Sequence, residues 1–144
     1  MVSNTVRRVP DHTDDAVNDR ILEDTARRVL YYSHHRDGID RRLRQLDREW
    51  DIERVLETNA SALAFLGIVL GSVGDRRWLR LSAVVTAFLF QHAVQGWCPP
   101  IPMLRRLGIR TAREIEVERV ALKALRGDFD TVGDASGALE AAAR

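Results

Sequence analysis

Polar and apolar positions are sorted along this chain instead of being mixed. Residues 58–74 carry no charged side chain and neither do residues 81–104, whereas the flanking sequence is dense in Arg, Asp and Glu. Ahead of the first window, Ile21, Leu22, Val29 and Leu30 recur at helical spacing. Asn18 or Asp19 is the expected N-cap, and HHRDG at 34–38 the break, with Gly38 as turn residue. Ile39, Leu43, Leu46 and Trp50 then follow at steps of four, three and four, and Arg41, Arg42, Arg44 and Arg48 make this second amphipathic helix basic. Beyond the second window, Thr111 and Glu114 have capping-box spacing. They predict a helix to about Arg126, with Ile115, Leu122 and Leu125 apolar and Gly127 as the stop.

Length decides what the two uncharged windows can be. At 1.5 Å per residue, residues 58–74 span about 26 Å and residues 81–98 about 27 Å, a little short of a bilayer core of about 30 Å. Each window holds seven strong hydrophobes, enough to favour insertion by about 2–4 kcal/mol. Asn59, Ser61 and Ser72 oppose this in the first window, and Gln91, His92 and Gln95 in the second. Because only DRRWLR joins them, the two can enter as one hairpin and satisfy polar groups against each other. Trp97 and Trp78 fall at opposite edges and Trp50 lies on the preceding helix, as an interfacial belt requires. Five arginines at 41–57 and five at 105–119, against three in the connecting loop, put both termini in the cytoplasm.

The expected fold is therefore all-α, a two-span transmembrane helical hairpin flanked by amphipathic cytoplasmic helices. It divides into a disordered tail (1–17), amphipathic and juxtamembrane helices (18–57), the hairpin (58–104), a C-terminal helix (105–127) and a second disordered tail (128–144). The competing arrangement is a soluble bundle that buries the two apolar helices as a pair. Its weakness is that the flanking helices have narrow apolar stripes with which to cover helices apolar nearly all round.

Composition narrows the partners. With 144 residues and a formal net charge of +1, one small domain is expected and a nucleic-acid partner finds no support in overall charge. The first residues contain no apolar run of signal-peptide length, so an ordinary cleaved signal is not expected. The single cysteine excludes an internal disulfide.

Several residue groups carry possible chemistry. Ala60, Ala64, Gly67 and Gly71 line one face of the first window, with a GxxxG pair. Ser82, Thr86, Ala93 and Gly96 share a face of the second. These faces either pack within one chain or join two copies as a homodimer. Gln91, His92 and Gln95 are costly in hydrocarbon and read as interhelical hydrogen bonding or, alternatively, a proton or ligand site. Cys98 is either a small apolar residue at a helix end or a reactive thiol with Arg105 and Arg106 nearby. Pro99, Pro100 and Pro102 stop the second span. No zinc spacing, P-loop, dinucleotide fingerprint, serine-nucleophile elbow or HExxH is present, so no catalytic residue, metal or cofactor is expected.

The segments WDIERVLETNASALAFLGIVLG and QHAVQGWCPP, with GWCP at Gly96 to Pro99, resemble the YgaP-like transmembrane domain family, small bacterial inner-membrane hairpins of unknown biochemical role. The resemblance covers about residues 51–108. It implies location and shape, and, because some relatives carry a rhodanese sulfurtransferase domain before the hairpin, a persulfide-acceptor role for Cys98; nothing before the first span here resembles a rhodanese. Three functions follow as expectations. The first is a noncatalytic inner-membrane interaction module whose basic helices meet anionic lipid or a protein partner. The others are a sulfur-handling or redox component using Cys98, and a soluble helical regulator.

Overall fold

The carboxylate of Asp51 accepts a hydrogen bond from the Arg54 backbone N–H at 2.7 Å and so starts the long apolar helix one residue later. Such an N-cap contributes about 1 kcal/mol by satisfying a donor that the first turn leaves open. In the computed structural model, which describes residues 7–130 and 132–143, the chain is all-helical, and among the described residues there is no strand. The helices are α1 (Asp15–His34), α2 (Ile39–Leu46), α3 (Ile52–Val73), α4 (Leu79–Gln95), α5 (Ile101–Arg106), α6 (Ala112–Arg126) and α7 (Ala135–Ala143), with short 3₁₀ turns at Pro10–His12, Arg36–Gly38 and Arg76–Trp78. They form two compact units, one made of residues 7–19 with 50–112 and the other of residues 20–49 with 113–143.

The first unit is built on α3 and α4. Gly74 leaves α3 with its N–H on the Leu70 carbonyl, and the carboxylate of Asp75 accepts from the Arg77 N–H to set the turn. At the far end Gly96, with φ of +78°, closes α4 in the left-handed conformation that lacks a steric cost only for glycine. The prolines expected to stop this helix lie beyond its end at Gln95 and instead start the next element: Pro100 and Pro102 stand at the N-terminus of α5, where a missing N–H costs nothing. Below the hairpin, Val9, Ile52, Leu56, Cys98 and Ile101 form a buried cluster, with Leu104 and Ile109 against it.

The second unit packs Ile39, Leu43 and Leu46 of α2 on Ile115 and Leu122 of α6, with Tyr32 and Leu125 at the edge. The amphipathic spacing read from the sequence puts these residues on facing stripes. Inside this unit Glu118 is fully buried and accepts from Arg42 at 2.7 Å and Arg28 at 3.1 Å. Arg126 joins Asp40 and Asp128, whose hydrogen bonds and charges raise its guanidinium above the ordinary range. Burial lowers Arg119, but hydrogen bonds and charge from Asp47 and Glu116 outweigh it.

Five expectations are corrected. Residues 7–17 are ordered: Val9 is 1% exposed within the apolar cluster, and the Thr13 hydroxyl donates to its carbonyl at 2.8 Å. A strap needs only one apolar anchor, so no period announces it; residues 1–6 of the expected tail lie outside the described residues. Helix α1 starts at Asp15, because Asp14 accepts from the Ala16 N–H at 2.9 Å, while Asn18 donates instead to the Pro10 carbonyl at 3.0 Å. Trp50 lies beyond the end of α2, where Arg54 sits 4.4 Å over its ring. The helix expected over 105–127 is two helices, α5 and α6, parted at Gly108 with φ of +84°. The second expected tail contains α7, favoured by its alanines and capped by Asp134, which accepts from the Gly137 N–H at 2.7 Å. Lys123 donates to the Ala142 carbonyl at 3.0 Å; residues 131 and 144 lie outside the described residues.

Candidate functional site

The glycine face of α3 is covered by α4 of the same chain. A Cβ on Gly67 would lie 2.5 Å from Ser82 Oγ and 2.9 Å from the Trp78 carbonyl oxygen, and one on Gly71 would lie 2.7 Å from the Leu79 side chain. Ser82 donates across the pair to the Ala64 carbonyl at 2.8 Å. Ala64, Gly67, Gly71 and Ser82 are thus brought together, as close helix approach requires. The other residues of the two small faces lie elsewhere. Thr86 is exposed and donates to its own helix at Ser82, Ala93 is exposed, and Gly96 is buried against Arg8.

The open end of the hairpin is closed by Arg8, which the sequence did not single out, and by Arg105, which it offered only as a neighbour of Cys98. Arg8 donates to Glu53 at 3.0 Å and reaches the Ala93 carbonyl at 3.4 Å. It therefore carries positive charge to the C-terminal end of α4 and neutralises a carboxylate in the first turn of α3, where each helix dipole favours that sign. Arg105 is fully buried, donating to Asn18 Oδ1 at 2.9 Å and to the Ile109 carbonyl at 3.2 Å. Adjacent arginines in RRVP and LRRLG gave no hint of which would turn inward.

Beside this end lies a cavity of about 430 Å³ between α3, α4 and the segment from Cys98 to Leu104. Leu56, Ala60 and Leu63 supply its α3 wall, and Val85, Phe88 and Leu89 its α4 wall, each set at helical spacing. Asn59, His92 and Cys98 are the polar or thiol-bearing residues that line it. His92 is 4% exposed, and neither ring nitrogen meets a partner in hydrogen-bond geometry, although the Gly96 backbone is close enough to act on the ring. Arg8, Glu53 and Glu57 are the charges that act on it. Of the three polar residues noted in the second window, His92 alone turns inward; Gln91 is half-buried and Gln95 exposed.

Cys98 is 7% exposed among Val9, Ile52, Leu56 and Ile101. This apolar enclosure is the opposite of the accessible, cationic setting that activates a thiol. The Arg105 guanidinium, one candidate to supply that charge, is engaged with Asn18 and Ile109. Among the described residues no three His, Cys, Asp or Glu side chains converge as a metal site. The arrangement offers an apolar recess with one buried imidazole, a binding geometry. Comparison with known proteins gives no match: no family model, no curated protein and no solved structure is significantly similar to this chain.

Proposed function

We propose that this chain is a small integral membrane protein in which α3 and α4 form a two-span hairpin with both termini on the cytoplasmic side of a bacterial inner membrane. It acts as a noncatalytic interaction module whose flanking basic helices meet anionic lipid or a protein partner. One observation carries the reading. Helix α3 is apolar and 22 residues long, about 33 Å, yet only 17% of its apolar stretch is buried. The core helix of a soluble bundle would be mostly enclosed, whereas here Phe65, Ile68, Val69 and Val73 face outward, and Val84, Phe90 and Val94 of α4 do the same. Lipid is the solvent in which such a surface costs nothing. The exposed rings of Trp50 and Trp78 stand near opposite ends of the hairpin, where aromatic residues favour the headgroup zone.

The resemblance to YgaP-like hairpins supports the same reading, and a persulfide role for Cys98 has no geometric support in its enclosure. A homodimer through the glycine face would have to displace α4, so any second copy is expected to contact the outer faces instead.

Alkaline carbonate extraction tests the proposal: the protein should stay with the membrane pellet, and release into the supernatant would overturn it. In a Cys98→Ala background, Arg76→Cys should react with a membrane-impermeant maleimide in intact cells and Gly133→Cys only after permeabilisation. The reverse pattern would invert the orientation.

A further inference from the structure

We propose that the cavity beside His92 binds the planar head of a neutral lipophilic carbonyl compound of the quinone class, with the imidazole as hydrogen-bond donor; this rests on the membrane reading for the source of such a ligand. The volume of about 430 Å³ falls within the range of about 300–1,000 Å³ typical of small-molecule sites. Flat or adaptable groups shape it: the ring of Phe88, the faces of Pro99 and Pro100, and the thioether of Met103. Leu63 and Met103, both exposed, leave the side of the recess open for a hydrocarbon tail.

Polarity and charge select the head. A buried imidazole with both nitrogens unpaired is costly, and a ligand carbonyl would remove that cost by accepting from it. The nitrogens are shut from solvent while the residue lines the cavity, and a half-turn about Cβ–Cγ, within the ring's broad torsional well, exchanges Nδ1 with Cδ2 and Nε2 with Cε1. No charged side chain lines the cavity. A carboxylate or phosphate head would therefore lack a counter-ion, as would an ammonium head. A neutral acceptor on an apolar plane fits what is left.

Trp97 provides a reporter, since its ring lies 6.4 Å from that of Phe88. In detergent-solubilised Trp50→Phe/Trp78→Phe protein, a decyl-substituted benzoquinone should quench Trp97 saturably, at least tenfold more tightly than decylbenzene displaces it. His92→Phe should weaken binding about tenfold, the loss of one hydrogen bond, and His92→Gln should restore most of it. Ala60→Phe, which fills the recess, should abolish saturation. Quenching that rises linearly without saturation, or that is equal in wild type, His92→Phe and Ala60→Phe, would overturn the inference. Carbonate extraction judges the membrane reading separately: membrane-retained protein that fails to saturate sinks the ligand alone, and saturable binding by carbonate-released protein sustains the ligand without the membrane.

Discussion

The Ser82 hydroxyl donates to the Ala64 carbonyl at 2.8 Å, bonding α4 to α3 beside the position where Gly67 leaves no side chain. The two facts depend on each other, because a Cβ at Gly67 would strike both the Ser82 hydroxyl and the Trp78 backbone carbonyl. Gly71 instead faces chiefly the Leu79 side chain, which can move. Gly67→Ala should therefore destabilise the hairpin by about 1–3 kcal/mol and Gly71→Ala by less, as read by unfolding in mixed detergent micelles. Equal effects would refute the distinction.

Arg8 and Glu53 are each about three-quarters buried, at 24% and 27% side-chain exposure, so their pair is neither a surface bridge nor a fully enclosed one. Arg8→Ala should cost about 1–2 kcal/mol, mostly by leaving Glu53 without its cation, and the Arg8→Ala/Glu53→Gln double variant should recover part of that loss. A double-mutant cycle in the same micelle assay checks it, with additivity as the contrary result. Gly96→Ala should act on the same closure, since it sets a side chain at φ of +78° against the Arg8 backbone.

In the second unit, Glu118 is enclosed while Arg28 keeps 34% and Arg42 16% of its side chain exposed. Removing the carboxylate takes the charged partner from Arg28 and leaves Arg42 only Glu49 at 3.8 Å, so Glu118→Ala should cost about 2–4 kcal/mol, a large part of a typical domain's stability. Arg42→Ala should cost more than Arg28→Ala, because less water is available to replace its partner. Urea unfolding followed by circular dichroism gives the ranking.

The stripes of α2 and α6, the GxxxG contact and the stop at Gly127 were legible because each is local and periodic: the spacing that makes the helix also makes the face. Val9, Arg8 and the Arg105–Asn18 bond were not. They act singly, the two arginine bonds across 45 and 87 residues of sequence, and no period marks an isolated anchor. Trp50 shows the opposite error, a period that continues after the helix has ended at Leu46. His92 was legible as an uncommon residue in an apolar window. The recess around it was not, since it exists only once α5 folds back under α4.

Asp134 gives α7 a dependence on pH. The Gly137 N–H and the Ser136 hydroxyl both donate to its carboxylate and hold its pKa below the ordinary carboxyl value. A depressed folded value means the cap contributes fully above the unfolded pKa of about 3.9 and is lost as pH falls through the folded one. Amide exchange at Gly137 should therefore accelerate relative to the intrinsic rate below about pH 4, and Asp134→Asn, which caps without titrating, should flatten that response. A response unchanged in the variant would place the effect elsewhere.

The legs of the hairpin are unequal, 22 residues in α3 against 17 in α4. A bilayer thick enough to suit the longer leg would leave the shorter one, about 26 Å, stretched across a gap that the Gly96 turn and the Pro100 corner cannot extend to fill. If the hairpin spans a bilayer as proposed, tilting satisfies the first leg and thinning the second, so the molecule would favour thin or locally pinched lipid and gather where the membrane already provides it.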